Sequence, residues 1–355
     1  MHIKLAEKNS LPAWDNYVKN HPDGNPYLLS GWGEVITRIY SHPVFNLIAS
    51  DSDDNIIGIL PLVHIKHFLF GNKLFSMPFA DLGGVLAENA HVAGTLLEHA
   101  VDIAIEHNIP AIELRHGHTV TCKEWSAVGH GYYSNATGIN KVRMLLSLPG
   151  TSTLLMANFK AKLRSQVRRP QKEGLRVKSG GIELLEQFYR VFAENMRDLG
   201  SPVHAKDFIG AVINEFAEKV RIFIVFRGND TFACSLTLGC GQILYNPWAS
   251  ALRRHSMLSP NMLLYWAMLE YGCDQGYTLF DFGRSTLGEG TYNFKKQWGA
   301  VEHPLNWLEF SRHPEENKVA TGQKSKFELA MLLWRKMPVS LSRVLGPPIR
   351  KHIGL

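Results

Sequence analysis

The sequence predicts an α+β protein with two tandem domains, each a mixed, mostly antiparallel sheet flanked by helices. Three observations predict it. Short apolar runs bounded by turn residues recur along the chain, as strands do. Between them lie longer segments with apolar residues at helical spacing, at 91–107, 184–199 and 208–220. At 355 residues the chain exceeds what one core usually organises, so two domains and a further segment are expected.

In the first half, runs at 44–49 and 56–65 flank Asp51-Ser52-Asp53-Asp54-Asn55 and read as a hairpin. A second extended pair is expected across Phe70-Gly71-Asn72-Lys73, after which the chain reaches Phe79-Ala80-Asp81-Leu82-Gly83-Gly84. Val92, Leu96, Leu97, Val101 and Ile105 mark a helix over 91–107. Strands are predicted at 109–114 and 142–148, and Pro149-Gly150 closes a first domain of residues 1–150.

The second half opens with a basic helix over 160–174. Leu184, Leu185, Phe188, Val191, Phe192 and Leu199 mark an amphipathic helix, and Phe208, Val212, Ile213, Phe216 and Val220 the next. Three strands follow at 222–226, 231–238 and 242–248, separated by Arg227-Gly228-Asn229-Asp230 and Gly239-Cys240-Gly241. Ser259 is placed to cap a helix with Pro260 at its first position and Gly276 past its end. Strands at 278–282 and 304–310 complete a second domain of residues 151–311, leaving a basic helical tail at 312–355. Helix, helix, three antiparallel strands, helix, strand, loop-helix, strand is the order of a GNAT acyltransferase domain. The first half has a weaker form of it, without an evident sequence repeat.

Composition sets bounds on function. Hydrophobic residues make up 45% and charged residues 20%, as in soluble globular proteins. The net charge of +6 suits an anionic ligand or anionic lipid and does not demand nucleic acid. Cys122, Cys234, Cys240 and Cys273 have no CxxC pairing and read as reduced thiols. No signal-like N-terminus and no apolar run of roughly 18 residues is present, so a cytoplasmic protein is expected. The amphipathic, basic tail packs on the body or touches the inner membrane surface peripherally.

The densest chemistry lies in Phe280-Asp281-Phe282-Gly283-Arg284-Ser285-Thr286, Gly288-Glu289-Gly290-Thr291-Tyr292 and Phe294-Lys295-Lys296-Gln297-Trp298-Gly299. Cations, carboxylates, hydroxyls and glycines directly after an apolar run place charge at a sheet edge, where ligands bind. This motif resembles the FemAB-type proteins associated with PEP-CTERM/exosortase exopolysaccharide systems. So do Leu258-Ser259-Pro260-Asn261-Met262-Leu263-Leu264-Tyr265-Trp266, Asn195-Met196-Arg197-Asp198-Leu199-Gly200-Ser201-Pro202 and Ser76-Met77-Pro78-Phe79-Ala80-Asp81-Leu82-Gly83-Gly84. The resemblance implies two GNAT-like domains and transfer of an aminoacyl or acyl group to an amine of a cell-envelope or exopolysaccharide precursor. It implies no permanently bound cofactor. The donor is aminoacyl-tRNA, or alternatively acyl-CoA or an acyl carrier protein. A non-catalytic scaffold of a polysaccharide-assembly complex is the third reading. The helical arms that some Fem members insert in the second domain have no counterpart here.

Phe294-Lys295 matches a Phe-Lys pair that the resemblance links to the transfer step. Attack of an amine on an ester develops negative charge on the carbonyl oxygen, which a fixed Lys295 ammonium would stabilise. The alternative is a solvated lysine, as for Lys296. Arg284 is positioned to grip a carboxylate or phosphate, or to pair with Asp281 or Glu289. Asp281 or Glu289 would serve as general base, Asp281 alternatively only orienting Arg284. Arg164, Arg168 and Arg169, with Lys160 and Lys172, form a basic helix face that is either solvated or binds a substrate phosphate. Ser259 and Asn261 stand where a GNAT domain cradles pyrophosphate, but the usual glycine run is absent and Pro260 removes an amide donor. Tyr245 and Trp248 line an acceptor channel or belong to the core, and Tyr292 and Phe294 are further substrate contacts. His116-Gly117-His118 has no third ligand at recognisable spacing, so no metal is expected.

Overall fold

The computed structural model describes residues 1–117, 127–128, 132–137, 140–311 and 321–354, with backbone alone for 127–128, 132–137 and 321–327. One compact unit comprises Met1–Val142, His303–Ala320 and His352–Leu355, and the other Arg143–Glu302 and Thr321–Lys351. The expected boundaries at 150 and 311 fall elsewhere because two strands pair non-locally, as follows.

The first unit contains β1 (His2–Leu5), α1 (Leu11–Asn20), α2 (Ser30–Tyr40), β2 (Val44–Ser50), β3 (Ile56–His67), β4 (Gly71–Phe75), β5 (Leu86–Ala87), α3 (Ala90–Glu106), β6 (Ala111–His116), β7 (Ala127–Val128) and β8 (Tyr132–Thr137). The β2–β3 hairpin is closed by Asp51, whose Oδ1 accepts from the amides of Asp53 and Asn55 at 2.8 and 2.9 Å. Asn89 caps α3 by accepting from the Val92 amide at 3.0 Å. Leu96, Leu97, Ala100 and Val101 of α3 then pack on Leu60, Leu62, Leu74 and Ile112 of the sheet, the expected apolar face of 91–107. α1 and α2 lie outside the sequence expectations. They bury Trp14, Val18, Trp32, Val35 and Ile36.

The strand expected at 304–310 is split. β16 (Asn306–Ser311) runs antiparallel between β6 and β8, so it belongs to the first sheet and not the second. It brings Trp307 and Glu309 to a buried charge cluster. Arg115, fully buried, donates to Glu113 at 2.9 and 2.7 Å and to the Ala80 carbonyl at 2.7 Å, with its guanidinium 4.7 Å from the Trp307 ring. Lys73 bonds both Glu113 and Glu309. Burial works against the charged form of Glu113, yet Arg115 and Lys73 hold its carboxyl below the usual range. Two cations face two carboxylates, so the cluster is internally compensated.

The second unit contains β9 (Lys141–Ser147), α4 (Ser152–Asn158), α5 (Ala161–Lys172), β10 (Arg176–Gly180), α6 (Leu185–Leu199), α7 (Lys206–Glu215), β11 (Val220–Arg227), β12 (Asp230–Cys240), β13 (Ile243–Ala251), α8 (Pro260–Asp274), β14 (Leu279–Thr286), α9 (Gly290–Lys296) and β15 (Val301–Pro304). Its sheet order is β10-β11-β12-β13-β14-β9-β15. β9, expected to close the first domain, lies beside β14 here. α8 buries residues on all sides, from Met262 to Leu269, which is why it shows no apolar stripe.

The chain after 320 forms α10 (Thr321–Arg335) and α11 (Val339–Arg350), which pack against α6. Arg197 donates to the Met337 carbonyl at 2.6 Å, and Arg350 Nε to His204 Nε2 at 3.0 Å. Burial first, then the Arg350 charge, holds the His204 ring well below its ordinary pKa. The folded ring stays neutral, while the unfolded chain binds a proton below about pH 6.5. The contribution of His204 is therefore complete above that pH and is lost as pH falls below it, by up to about 1.4 kcal/mol per pH unit. His204→Gln, which keeps an acceptor without the titration, is expected to flatten the decline in urea stability between about pH 6.5 and 5. An unchanged slope would assign the decline to other groups.

Candidate active site

β13 and β14 are parallel and pair only from Ile243–Leu279 to Tyr245–Asp281, although β13 runs on to Ala251 and β14 to Thr286. The strand predicted to end at 282 thus continues through Gly283, Arg284 and Ser285. Asp281 shapes this stretch. Its Oδ1 accepts from the Gly283 amide at 2.7 Å, and Gly283 takes a φ of +73°, a conformation open to glycine. The carbonyls of Gly283 and Arg284 consequently converge on one point.

Lys295 occupies that point. Gly288, at φ +78°, turns the chain into α9, and Glu289 in extended conformation precedes its first residue. Phe294 packs 5.0 Å from the Tyr265 ring, and Trp298 lies 5.6 Å from Phe159. Tyr265 itself stacks on Phe282 of β14 at 5.4 Å. These rings seat α9 so that Lys295 is only 6% exposed, with Nζ donating to Gly283 O at 3.1 Å and Arg284 O at 2.8 Å. Lys296, one residue on, is exposed and bonds the Tyr292 hydroxyl, which raises its pKa. The Tyr292 hydroxyl also donates to Glu302.

A residue that the sequence reading missed completes the cluster. Arg143 on β9 donates from Nε to Asp281 Oδ2 at 2.6 Å and lies 5.3 Å from the Tyr245 ring. Burial works to lower the Arg143 pKa, but the charges and hydrogen bonds of Asp281 and Tyr245 together raise it. Burial pushes the Tyr245 hydroxyl pKa up. Asp281 therefore pairs with Arg143 and does not orient the Arg284 guanidinium. Both its oxygens are engaged, Oδ2 by Arg143 and Oδ1 by the Gly283 amide. Arg143, Asp281 and Lys295 together carry one surplus positive charge, linked through the Gly283 backbone.

The other candidates are scattered around this centre. Glu289 is exposed and Arg284 partly so. Trp248 lies within 6.5 Å of the rings of Phe192, His204 and Phe208 and is 9% exposed, which makes it a core residue and not a channel wall. Ser259 precedes α8 as expected, but in left-handed conformation (φ +52°) and without a side-chain capping bond, and Asn261 is exposed. On α5, Arg164 donates to the Phe159 carbonyl at 2.7 Å. With Arg168, Ser152, Met156, Trp266 and Glu270 it lines a groove of about 600 Å³. Arg168, Arg169 and Lys172 line a second groove of about 440 Å³. Burial pushes the Glu270 carboxyl up. His116 accepts from the Val85 amide at 3.2 Å, while His118 and Cys122 fall outside the described residues. Among the described residues no three His, Cys, Asp or Glu side chains cluster to hold a metal, and no helix is long and apolar enough to cross a membrane.

Residues 157–296 match the family model of the acetyltransferase (GNAT) domain. The chain is 28% identical over 190 residues to a lipid II:glycine glycyltransferase of Staphylococcus saprophyticus subsp. saprophyticus, covering 50% of this chain and 44% of that protein. It thus spans less than half the length of this relative. Its fold is similar to the crystal structure of FemX, with a TM-score of 0.70 at 15% identity, over 93% of this chain and 100% of that one. A tandem GNAT protein from the clavulanic acid biosynthesis pathway aligns with a TM-score of 0.52 at 10% identity, over 88% and 100% of the two chains. The fold is a tandem GNAT-like α+β fold with mixed sheets.

Proposed function

We propose that this chain is an acyl- or aminoacyltransferase that moves an activated acyl group to an amine of a cell-envelope precursor. The single observation that carries the reading is Lys295, a buried ammonium fixed by two main-chain carbonyls beside the parting of β13 and β14. An amine attacking the donor carbonyl forms a C–N bond and places negative charge on the carbonyl oxygen. Lys295 stabilises that charge where water is excluded. Collapse of the intermediate breaks the C–O bond of an ester, or the C–S bond of a thioester, and the leaving group takes up a proton. Glu289, exposed ahead of α9, is accessible to accept the proton lost by the amine. Similarity to a protein named for glycyl transfer to lipid II supports an envelope acceptor. An exopolysaccharide precursor of a PEP-CTERM/exosortase-type system is the narrower acceptor that the sequence motifs favour, with the reaction in the cytoplasm at the inner membrane face.

Aminoacyl-tRNA fits as donor better than acyl-CoA. Pro260 and the left-handed Ser259 replace the glycine-rich amides that would cradle a pyrophosphate. Lys160, Lys162, Arg164, Arg168, Arg169 and Lys172 give a strongly basic helix beside two grooves, suited to a phosphate backbone. Arg168→Glu combined with Arg169→Glu is expected to weaken filter binding of aminoacyl-tRNA by about tenfold or more and to reduce its salt slope by about two. If the protein instead binds CoA thioesters and ignores RNA, the acyl-CoA or acyl-carrier-protein reading stands. If neither donor binds and no precursor amine is acylated, the transferase reading fails and a scaffold remains.

A further inference from the structure

α10 and α11 have two differently built sides. On α11 the inner one is polar or small: Ser342 and Gly346 are buried, Gly346 is close to the Val203 backbone, and Arg343 lies over the Tyr189 ring at 5.3 Å, while on α10 Met331 lies against Gly200. The outer one is aliphatic. Leu329, Leu332 and Leu333 on α10 are 58, 52 and 62% exposed. Leu341, Val344 and Leu345 on α11 are 44, 68 and 41% exposed. Both triplets have the i, i+3, i+4 spacing that makes one continuous stripe on a helix. A helix pair that met only water would carry polar side chains there.

The segment that carries these stripes is basic on balance, although Arg343 pairs with Glu186 and Arg350 bonds His204 on the inner side. From residue 321 to 351 the sequence has seven Lys or Arg residues and a single acidic one, Glu328. Arg335 and Lys336 are exposed at the end of α10, next to the leucines. A second copy of the chain would bring the same basic face against itself and be repelled. An anionic surface would be attracted.

We propose that the outer face of α10 and α11 docks on an anionic phospholipid bilayer. The six aliphatic side chains enter the boundary between headgroups and acyl chains, and the exposed cations rest against lipid phosphates. This deepens the placement of the reaction at the inner membrane face. It needs neither donor nor acceptor, so it stands or falls apart from the transferase reading.

Cosedimentation of the full chain with vesicles of phosphatidylglycerol and phosphatidylcholine tests it. Binding is expected to these vesicles, to be much weaker with phosphatidylcholine alone, and to fall with added salt. Leu333→Ser with Val344→Ser should lose about tenfold or more of the binding while unfolding at an unchanged temperature, because both side chains are already exposed. Lys336→Glu provides a second variant without loss of apolar surface and should weaken binding to the anionic vesicles. Phe68, Leu69 and Phe70, between β3 and β4 and 88, 70 and 42% exposed, supply the contrast. Retention of binding by the α10–α11 variants with its loss in Phe68→Ser with Phe70→Ser would overturn the proposal. So would equal binding to neutral vesicles, or a dimer in sedimentation velocity that Leu333→Ser with Val344→Ser dissociates.

Discussion

Replacing Lys295 by Ala is expected to lower the transfer rate by about 10²–10³-fold while the protein stays folded. The size follows from the environment. A preorganised, largely buried charge acts on a developing oxyanion with little solvent screening or reorganisation, and Lys295 is 6% exposed and held by two carbonyls before any substrate arrives. Truncation also leaves the Gly283 and Arg284 carbonyls short of a donor, at about 1–3 kcal/mol of stability, which a domain of ordinary stability survives. Lys295→Arg is not expected to restore activity, since a planar guanidinium does not reproduce a compact ammonium seated between two converging oxygens. Single-turnover transfer from a charged tRNA or a thioester, with circular dichroism as the control for folding, provides the measurement. Undiminished turnover in a folded Lys295→Ala protein would remove the lysine from the chemistry and with it the main support for acyl transfer.

Asp281→Ala is expected to destabilise the protein by about 3–5 kcal/mol in urea denaturation. It strands the Arg143 guanidinium, whose side chain is 14% exposed, beside an apolar sheet, and it removes the acceptor that holds the Gly283 amide. The partner experiment separates charge from packing. Arg143→Met with Asp281→Leu removes both charges and should recover much of the loss, because a buried pair replaced by apolar side chains is often neutral. A single-variant loss within about 1 kcal/mol of zero would mean that water already compensates this pair.

The two substitutions also mark what was legible in the sequence. The motif at 280–299 could be read locally because its logic is local: Asp281 two residues before a glycine, a turn glycine at 288, and a lysine beside an aromatic residue. Most strands of the second sheet were legible for the same reason, since their turns carry Gly, Asn and Asp. Arg143 was not legible. It is one cation in the apolar alternation Val142-Arg143-Met144, and its partner is 138 residues further on. Trp248 could be read as channel or core, as a strand residue has two faces and periodicity does not say which one is covered. α1 and α2 passed unnoticed because Gly31, Gly33 and Pro12 interrupt their helical pattern. The placement of β16 in the first sheet depends on contacts far apart in sequence, which no local pattern records.

That strand has a consequence for biogenesis. When a ribosome has made residues 1–150, every strand described in the first sheet has been translated except Asn306–Ser311, which sits in its interior between β6 and β8. Until Trp307 and Phe310 are translated, β6 offers an open edge and an incomplete core to any neighbouring nascent chain. The N-terminal half cannot mature first and wait for the remainder. The first sheet can be completed only after residue 311 has been translated.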